Sequence, residues 1–243
     1  MIKKIKIFIQ ALFKPMPLDN NFSNYDEYWQ NRGFHAPSLH RAELISKYIE
    51  PKSKILDIGC GDGTIIDYLS KHNEPQEIVG VDISKRAVDY VKSKGYDAYV
   101  MDVLSDDFSK FLENKTYDYI IITEVLEHVQ DPEKIIMAVK NNFKKAVFIS
   151  IPNAGFFVHR LRLLFGRFPL VFIVQHVKEH IRFWTMKDFV YWSNYFGYKV
   201  DDIIVLTGLD FKPLRFLESI FPSLFGNQLL YKLIIKKGNE KRK

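Results

Sequence analysis

The stretch of this 243-residue chain best suited to chemistry is ILDIGCGDGT, residues 55–64. Gly59, Gly61 and Gly63 stand at alternate positions, where backbone without side chains can turn sharply and approach a ligand. The helix expected to follow offers free N–H groups at its start. Dinucleotide-binding loops read G-x-G-x-x-G, and here Thr64 stands where the last glycine belongs. That argues against a nicotinamide-dependent oxidoreductase. What remains is D-x-G-x-G-x-G. A carboxylate at Asp57 suits a ligand bearing an ammonium group and would repel a pyrophosphate. Asp62 lies in the same loop as either a ligand contact or a solvated turn residue. Cys60, the single cysteine, reads as a small buried residue rather than a nucleophile.

Three further places carry matching chemistry. Asp82, followed by Ile83, can accept both hydroxyls of a ribose, as acidic residues do in nucleotide-binding α/β folds. Met101-Asp102-Val103 offers a carboxylate for an adenine amino group, with an apolar side chain on each side. Thr123-Glu124-Val125 is the fourth. Each is expected at the carboxyl end of a strand, where open α/β sheets bind their ligands.

The elements that must hold these residues are legible as alternating runs. KILDIG (54–59), EIVGVDI (77–83), AYVMDV (98–103), YDYIIITEV (117–125) and KAVFISIP (145–152) read as strands. Between them come helices from Gly63 to His72, from the Ser84 cap to about Lys94, and from Asp131-Pro132 to about Asn142. Thr185 caps a further helix to about Phe196, and YKVDDIIVL (198–206) and QLLYKLIIKK (228–237) complete seven strands. Strands joined by helices imply right-handed crossovers. The fold expected is a Rossmann-like, seven-stranded, mostly parallel sheet with helices on both faces, a three-layer α/β/α sandwich. Length favours a single domain over 1–243. It divides into an N-terminal helical extension (1–50), a ligand-binding core (51–152), an acceptor-side insertion (153–184) and the rest of the sheet (185–243).

The segment from Ile55 to Pro152, with DIGCGDG, VDIS, MDV and EVLEHVQDP in order, resembles the core of class I S-adenosylmethionine (SAM) dependent methyltransferases. The resemblance implies SAM as cofactor and S-adenosylhomocysteine as product. It implies Asp57 near the methionine amino group, the glycine loop under the methionine moiety, Asp82 on the ribose and Asp102 near the adenine amine. ILDIGCGDGTIIDYL, then ISIPN and an arginine-rich aromatic stretch, is similar to the MetW-type branch. YDEYWQNRG (25–33) and FPSLFGNQLLYKLIIKK resemble methyltransferases of bacterial surface-glycan clusters. This implies O-methylation of a sugar or glycan intermediate. The alternatives are a quinone-type small-molecule O-methyltransferase and a MetW-like SAM-binding partner of an acyltransferase in methionine synthesis. Tyr25, Trp29 and Arg32 are implied to close over the cofactor.

Two histidines follow from the same resemblance. His180, in EHIRFWT, matches an H-x-x-F-x-[ST] element over the acceptor face and is the expected general base, with His176 as substitute. His128 ends an E-x-x-E-H string with Glu124 and Glu127. Similar strings in ubiquinone-pathway O-methyltransferases are linked to a divalent metal. The reading taken is that no metal is held: Glu124 edges the cofactor, and His128 orients the acceptor or caps the loop. FFVHRLRLLFGRFPLVF (156–172) is an acceptor lid, a membrane-facing lip, or core with solvated arginines.

Charge decides the remaining classes. The chain carries +6 overall. Residues 1–14 hold four lysines and residues 236–243 a net +4, so the body between is close to neutral at −2. A nucleic-acid partner, which would need a basic stripe on that body, is not expected. The tails are either solubilising or attracted to an anionic membrane face. No apolar run approaches the length of a membrane span. The N-terminus reads as an amphipathic basic helix, and one cysteine fits a reducing cytoplasm.

Overall fold

The computed structural model describes residues 9–16, 18, 22–34, 39–170, 177–208 and 215–236. Of the features singled out above, His176 and the basic residues Lys3, Lys4, Lys6, Lys237, Lys241, Arg242 and Lys243 lie outside these residues.

Seven strands form one sheet: β1 (Lys54–Ile58), β2 (Glu77–Asp82), β3 (Asp97–Val100), β4 (Tyr117–Thr123), β5 (Phe143–Pro152), β6 (Tyr198–Thr207) and β7 (Gln228–Ile235). Their order is β3-β2-β1-β4-β5-β7-β6. The first five pair in parallel, and β7 runs antiparallel to both β5 and β6. The mostly parallel, Rossmann-like sheet of the sequence reading is therefore observed.

Strand periodicity splits the core into two layers. Leu56, Ile58, Ile120, Ile122, Val147, Ile149 and Tyr231 face one side, packing with Phe108, Ile135, Ile136 and Phe189 from helices Asp106–Leu112, Pro132–Val139 and Met186–Tyr195. Ile55, Tyr119, Ile121, Ala146, Phe148 and Leu230 face the other, against Ala42, Ile45, Ile65 and Leu69 from helices His40–Ser46 and Thr64–His72. A third cluster seats Val88 and Val91 of helix Lys85–Ser93 beside Ile66 and Ala98.

Local chemistry starts the helices as expected. The side chains of Ser84, Asp131 and Thr185 accept from Ala87, Lys134 and Asp188 N–H groups, with Pro132 at the first turn of its helix. Two expectations are corrected and one element is added. β3 ends at Val100, so Met101, Asp102 and Val103 occupy the following loop, where Met101 N–H still donates to the Asp82 carbonyl. β4 ends at Thr123, and Glu124 turns into the left-handed region at φ 55°. Helix Asp106–Leu112, capped by Ser105, fills the β3–β4 crossover with two buried side chains, too few for a clear period. The segment after Pro152 contains helix Phe157–Leu164 and returns to the sheet where Asn153 bridges Trp184.

Candidate active site

Strand order reverses between β1 and β4, and the loops leaving those two strands part there. Ligands of open α/β sheets bind at such switch points. A cavity of about 520 Å³ lies at this place. Asp57, Gly59, Cys60, Gly61, Asp62, Asp82, Ile83, Met101, Asp102, Val103, Glu124, Arg32, His128 and His180 all line it. Gly63 does not. It opens helix Thr64–His72, and a Cβ there would meet Val91 Cγ2 at 2.8 Å, so its bareness serves helix packing.

The glycine loop is shaped by two close approaches. Gly59 has φ 72°, and a Cβ on it would stand 2.3 Å from Val125 Cγ2. Gly61 has φ 51°, and a Cβ on it would reach the Trp29 ring at 2.8 Å. Side chains are excluded at both positions by conformation and by space.

Asp57 is buried at the end of β1, and both carboxylate oxygens lack a hydrogen-bond partner among the described residues. Burial first, then the neighbouring Asp82 and Asp62, hold its carboxyl well above the usual range. A buried carboxyl without a partner either keeps its proton or takes a cation. The ammonium of a methionine moiety is such a cation, so the residue fits the cofactor implied by the motifs. Asp82 is held rigidly: its carboxylate accepts from Gly61 N–H at 2.9 Å and Ser84 N–H at 2.8 Å. Burial raises its pKa against those two bonds. Asp102 folds on itself, accepting from Leu104 N–H at 2.9 Å. Ile83, half-exposed, offers an apolar face beside Met101 and Val103. Asp62 accepts from Thr64 N–H at 3.0 Å and Oγ1 at 2.5 Å, so it braces the loop as well as lining the cavity. Cys60 packs against Gly80, and burial pushes its thiol up, which fits the structural reading.

Helix Tyr25–Arg32 closes the cavity from above. Asp26 anchors it by accepting from Ser84 Oγ at 2.6 Å and Arg86 N–H at 2.9 Å. That contact brings Tyr25, Trp29 and Arg32 to the cavity wall. The Arg32 guanidinium lies 5.7 Å from the Trp29 ring centre and donates to the Tyr28 hydroxyl.

At the other end the structure regroups the E-x-x-E-H string. Glu124 turns away, accepting from Ser150 Oγ at 2.8 Å and pairing with Arg41 at 3.5 Å. His180 takes its place: Glu127, His128 and His180 offer ligand-type atoms all within 4.8 Å of one another. Such a cluster can hold a proton or a divalent cation. Glu127 is fully enclosed, and its carboxylate has no hydrogen-bond partner among the described residues. Burial, reinforced by Glu124, raises its pKa strongly and favours its neutral acid. His128 Nδ1 bonds to the Glu179 carbonyl, so Nδ1 carries the hydrogen and Nε2 keeps a lone pair. Burial lowers the pKa of His128, which favours the neutral ring.

Sequence reasoning missed Arg41, His40, Tyr28, Glu179, Leu206, Thr207 and Gln228, which also line the cavity. Thr207 and Gln228 meet because β7 enters the sheet at the edge where β6 leaves it. No local pattern carries that information.

Comparison with known proteins places this geometry. A Coxiella burnetii protein named ubiquinone biosynthesis O-methyltransferase is 26% identical over 210 residues, covering 80% of this chain and 85% of that protein. Among solved structures, a SAM dependent methyltransferase from Archaeoglobus fulgidus superposes with a TM-score of 0.56 at 18% identity, over 86% of this chain and all of that one. Magnesium protoporphyrin IX methyltransferase from Synechocystis, solved with bound SAM, superposes with a TM-score of 0.55 at 11% identity, over 96% and 97%. The family described as methionine biosynthesis protein MetW matches residues 40–233. With that match and this fold, the chain is a class I SAM-dependent methyltransferase and belongs to the MetW family.

Proposed function

We propose that this enzyme methylates a hydroxyl oxygen of a small molecule, and that the acceptor is a phenolic, quinone-type ring. The observation that carries the reading is the His128–His180 pair on the wall of the cavity that Asp57 also lines, with the buried Glu127 beside it. Bound SAM supplies an electrophilic methyl on its sulfonium sulfur. The residues do the rest. Asp57 and Asp82 fix the donor, and the negative lining favours its positive charge before transfer. The acceptor oxygen forms the new bond to carbon as the carbon–sulfur bond breaks. Its proton passes to a neutral imidazole, with His128 Nε2 already freed for it and His180 beside it. Alignment of donor and acceptor is worth ~7–11 kcal/mol of barrier.

Tyr25, Tyr28, Val125 and Val129 line the cavity with aromatic and apolar surface, which supports a ring acceptor. The printed activity of the Coxiella relative supports the same class. A sugar or glycan hydroxyl is the second reading, favoured by Arg41, Thr207 and Gln228 in the same wall. Labelled SAM offered with catechols, sugar nucleotides and lipid-linked sugars tests both. Methylation of catechols alone is expected. Methylation of sugars alone would move the acceptor to the second reading. SAM binding without transfer to any of them, together with a stable acyltransferase partner, would overturn an enzymatic role in favour of a MetW-type binding protein.

A further inference from the structure

Arg162 lies on helix Phe157–Leu164 and is 2% exposed. Its side chain meets four carbonyls. The guanidinium donates to Ala11 O at 2.5 Å, Leu12 O at 2.9 Å and Lys14 O at 2.8 Å, and Nε donates to Phe168 O at 2.8 Å. The first three cap the end of the helical stretch 9–13. One buried cation thus ties the N-terminal segment and the turn after Leu164 to a single helix.

The staple sets two segments side by side and turns their apolar residues outward. Phe13 and Phe165 pack with ring centres 5.6 Å apart, yet remain 47% and 53% exposed. Ile9, Leu163, Leu164 and Phe168 are exposed around them, Leu164 to 76%. Exposed apolar clusters of this kind mark interaction surfaces. Charge identifies the partner. Lys14, Arg160 and Arg167 are exposed on the same two segments, and residues 9–18 and 157–170 contain no Asp or Glu. Lys3, Lys4 and Lys6 precede them in the sequence.

We propose that this face docks on an anionic bilayer, with the aromatic and leucine side chains entering the headgroup boundary and the basic residues meeting lipid phosphates. Exposed apolar side chains on segments that carry basic and no acidic residues are the pattern such an interface selects.

The test is co-sedimentation of the full chain with vesicles. Binding is expected to mixed phosphatidylcholine–phosphatidylglycerol vesicles, with loss on pure phosphatidylcholine and at high salt. Leu164→Asp should abolish sedimentation while leaving S-adenosylhomocysteine affinity by calorimetry unchanged, which shows an intact fold. Lys14→Gln and Arg167→Gln should each weaken binding about fivefold at low salt. No sedimentation with anionic vesicles, or equal sedimentation of Leu164→Asp, would overturn the proposal. So would a solution dimer, seen by ultracentrifugation and removed by Leu164→Asp, since the face would then cover a second copy. None of these readouts depends on the acceptor.

Discussion

The rings of His128 and His180 stand edge to face with centres 4.7 Å apart, at an angle of 73°. One comes from the turn after β4 and the other from the far end of the segment after β5. The backbone joins them too: Ile181 N–H donates to the Glu127 carbonyl at 2.9 Å. This end of the cavity is built where these two turns meet.

On the proposed mechanism, removing either histidine should slow chemistry and spare the cofactor. His128→Asn and His180→Asn are expected to lower kcat by ~10²–10⁴-fold. Cofactor affinity, measured by calorimetry, should stay within a few-fold. A loss confined to affinity would move both histidines out of the proton path.

The pH profile should carry the mark of a buried histidine. Burial lowers the pKa of His128, so the free base persists to lower pH than in an exposed histidine. Activity should then fall on the acid side only below about 6.5, the ordinary histidine value. Measured kcat/KM against pH checks this, and an acid limb at or above that value would exclude neutral His128 as the base.

Asp57 should trade stability for binding. Its folded pKa is raised above the unfolded value, so the cost of its charge is absent at low pH and grows as pH rises through the folded pKa. Asp57→Asn removes that cost. The ligand-free variant should melt higher than the parent at neutral pH. The same change should weaken S-adenosylhomocysteine binding about 10- to 100-fold, the value of a charged hydrogen bond. A lower melting temperature with unchanged affinity would show that Asp57 serves the fold alone.

Gly59 offers a rescue experiment. Gly59→Ala should be strongly destabilising, because its Cβ falls 2.3 Å from Val125 Cγ2 at a positive φ. Adding Val125→Ala removes the collision and leaves only the backbone penalty of ~1–2 kcal/mol. Thermal unfolding of the double variant should lie between Gly59→Ala and the parent. If the double variant unfolds no later than Gly59→Ala, the contact is not the cause.

Chelation separates the two uses of the Glu127–His128–His180 cluster. The base mechanism needs no ion, so activity should survive EDTA. Loss on chelation, restored by Mg²⁺ or Mn²⁺, would reassign these residues as metal ligands.

Much of the frame was legible from residues close in sequence. Short, continuous apolar and β-branched runs marked β1, β2, β4 and β5, and Ser84, Asp131-Pro132 and Thr185 marked helix starts, because strand composition and caps act over a few residues. Asp57 and Asp82 were legible as well, since a carboxylate at a strand tip beside a glycine loop has few other uses. Tertiary structure decided what depends on distant segments meeting. β7 inserts antiparallel between β5 and β6 and brings Gln228 to Thr207, a pairing fixed by packing on both faces of the sheet. Glu124 leaves the E-x-x-E-H string because its backbone turns left-handed and Ser150 and Arg41 bind its carboxylate. Gly63 is crowded by Val91, and Arg162 spends its charge on carbonyls far away in the chain. Local sequence dictates hydrogen bonds and periods over a few residues, whereas these contacts form only when the folded core brings remote side chains within reach.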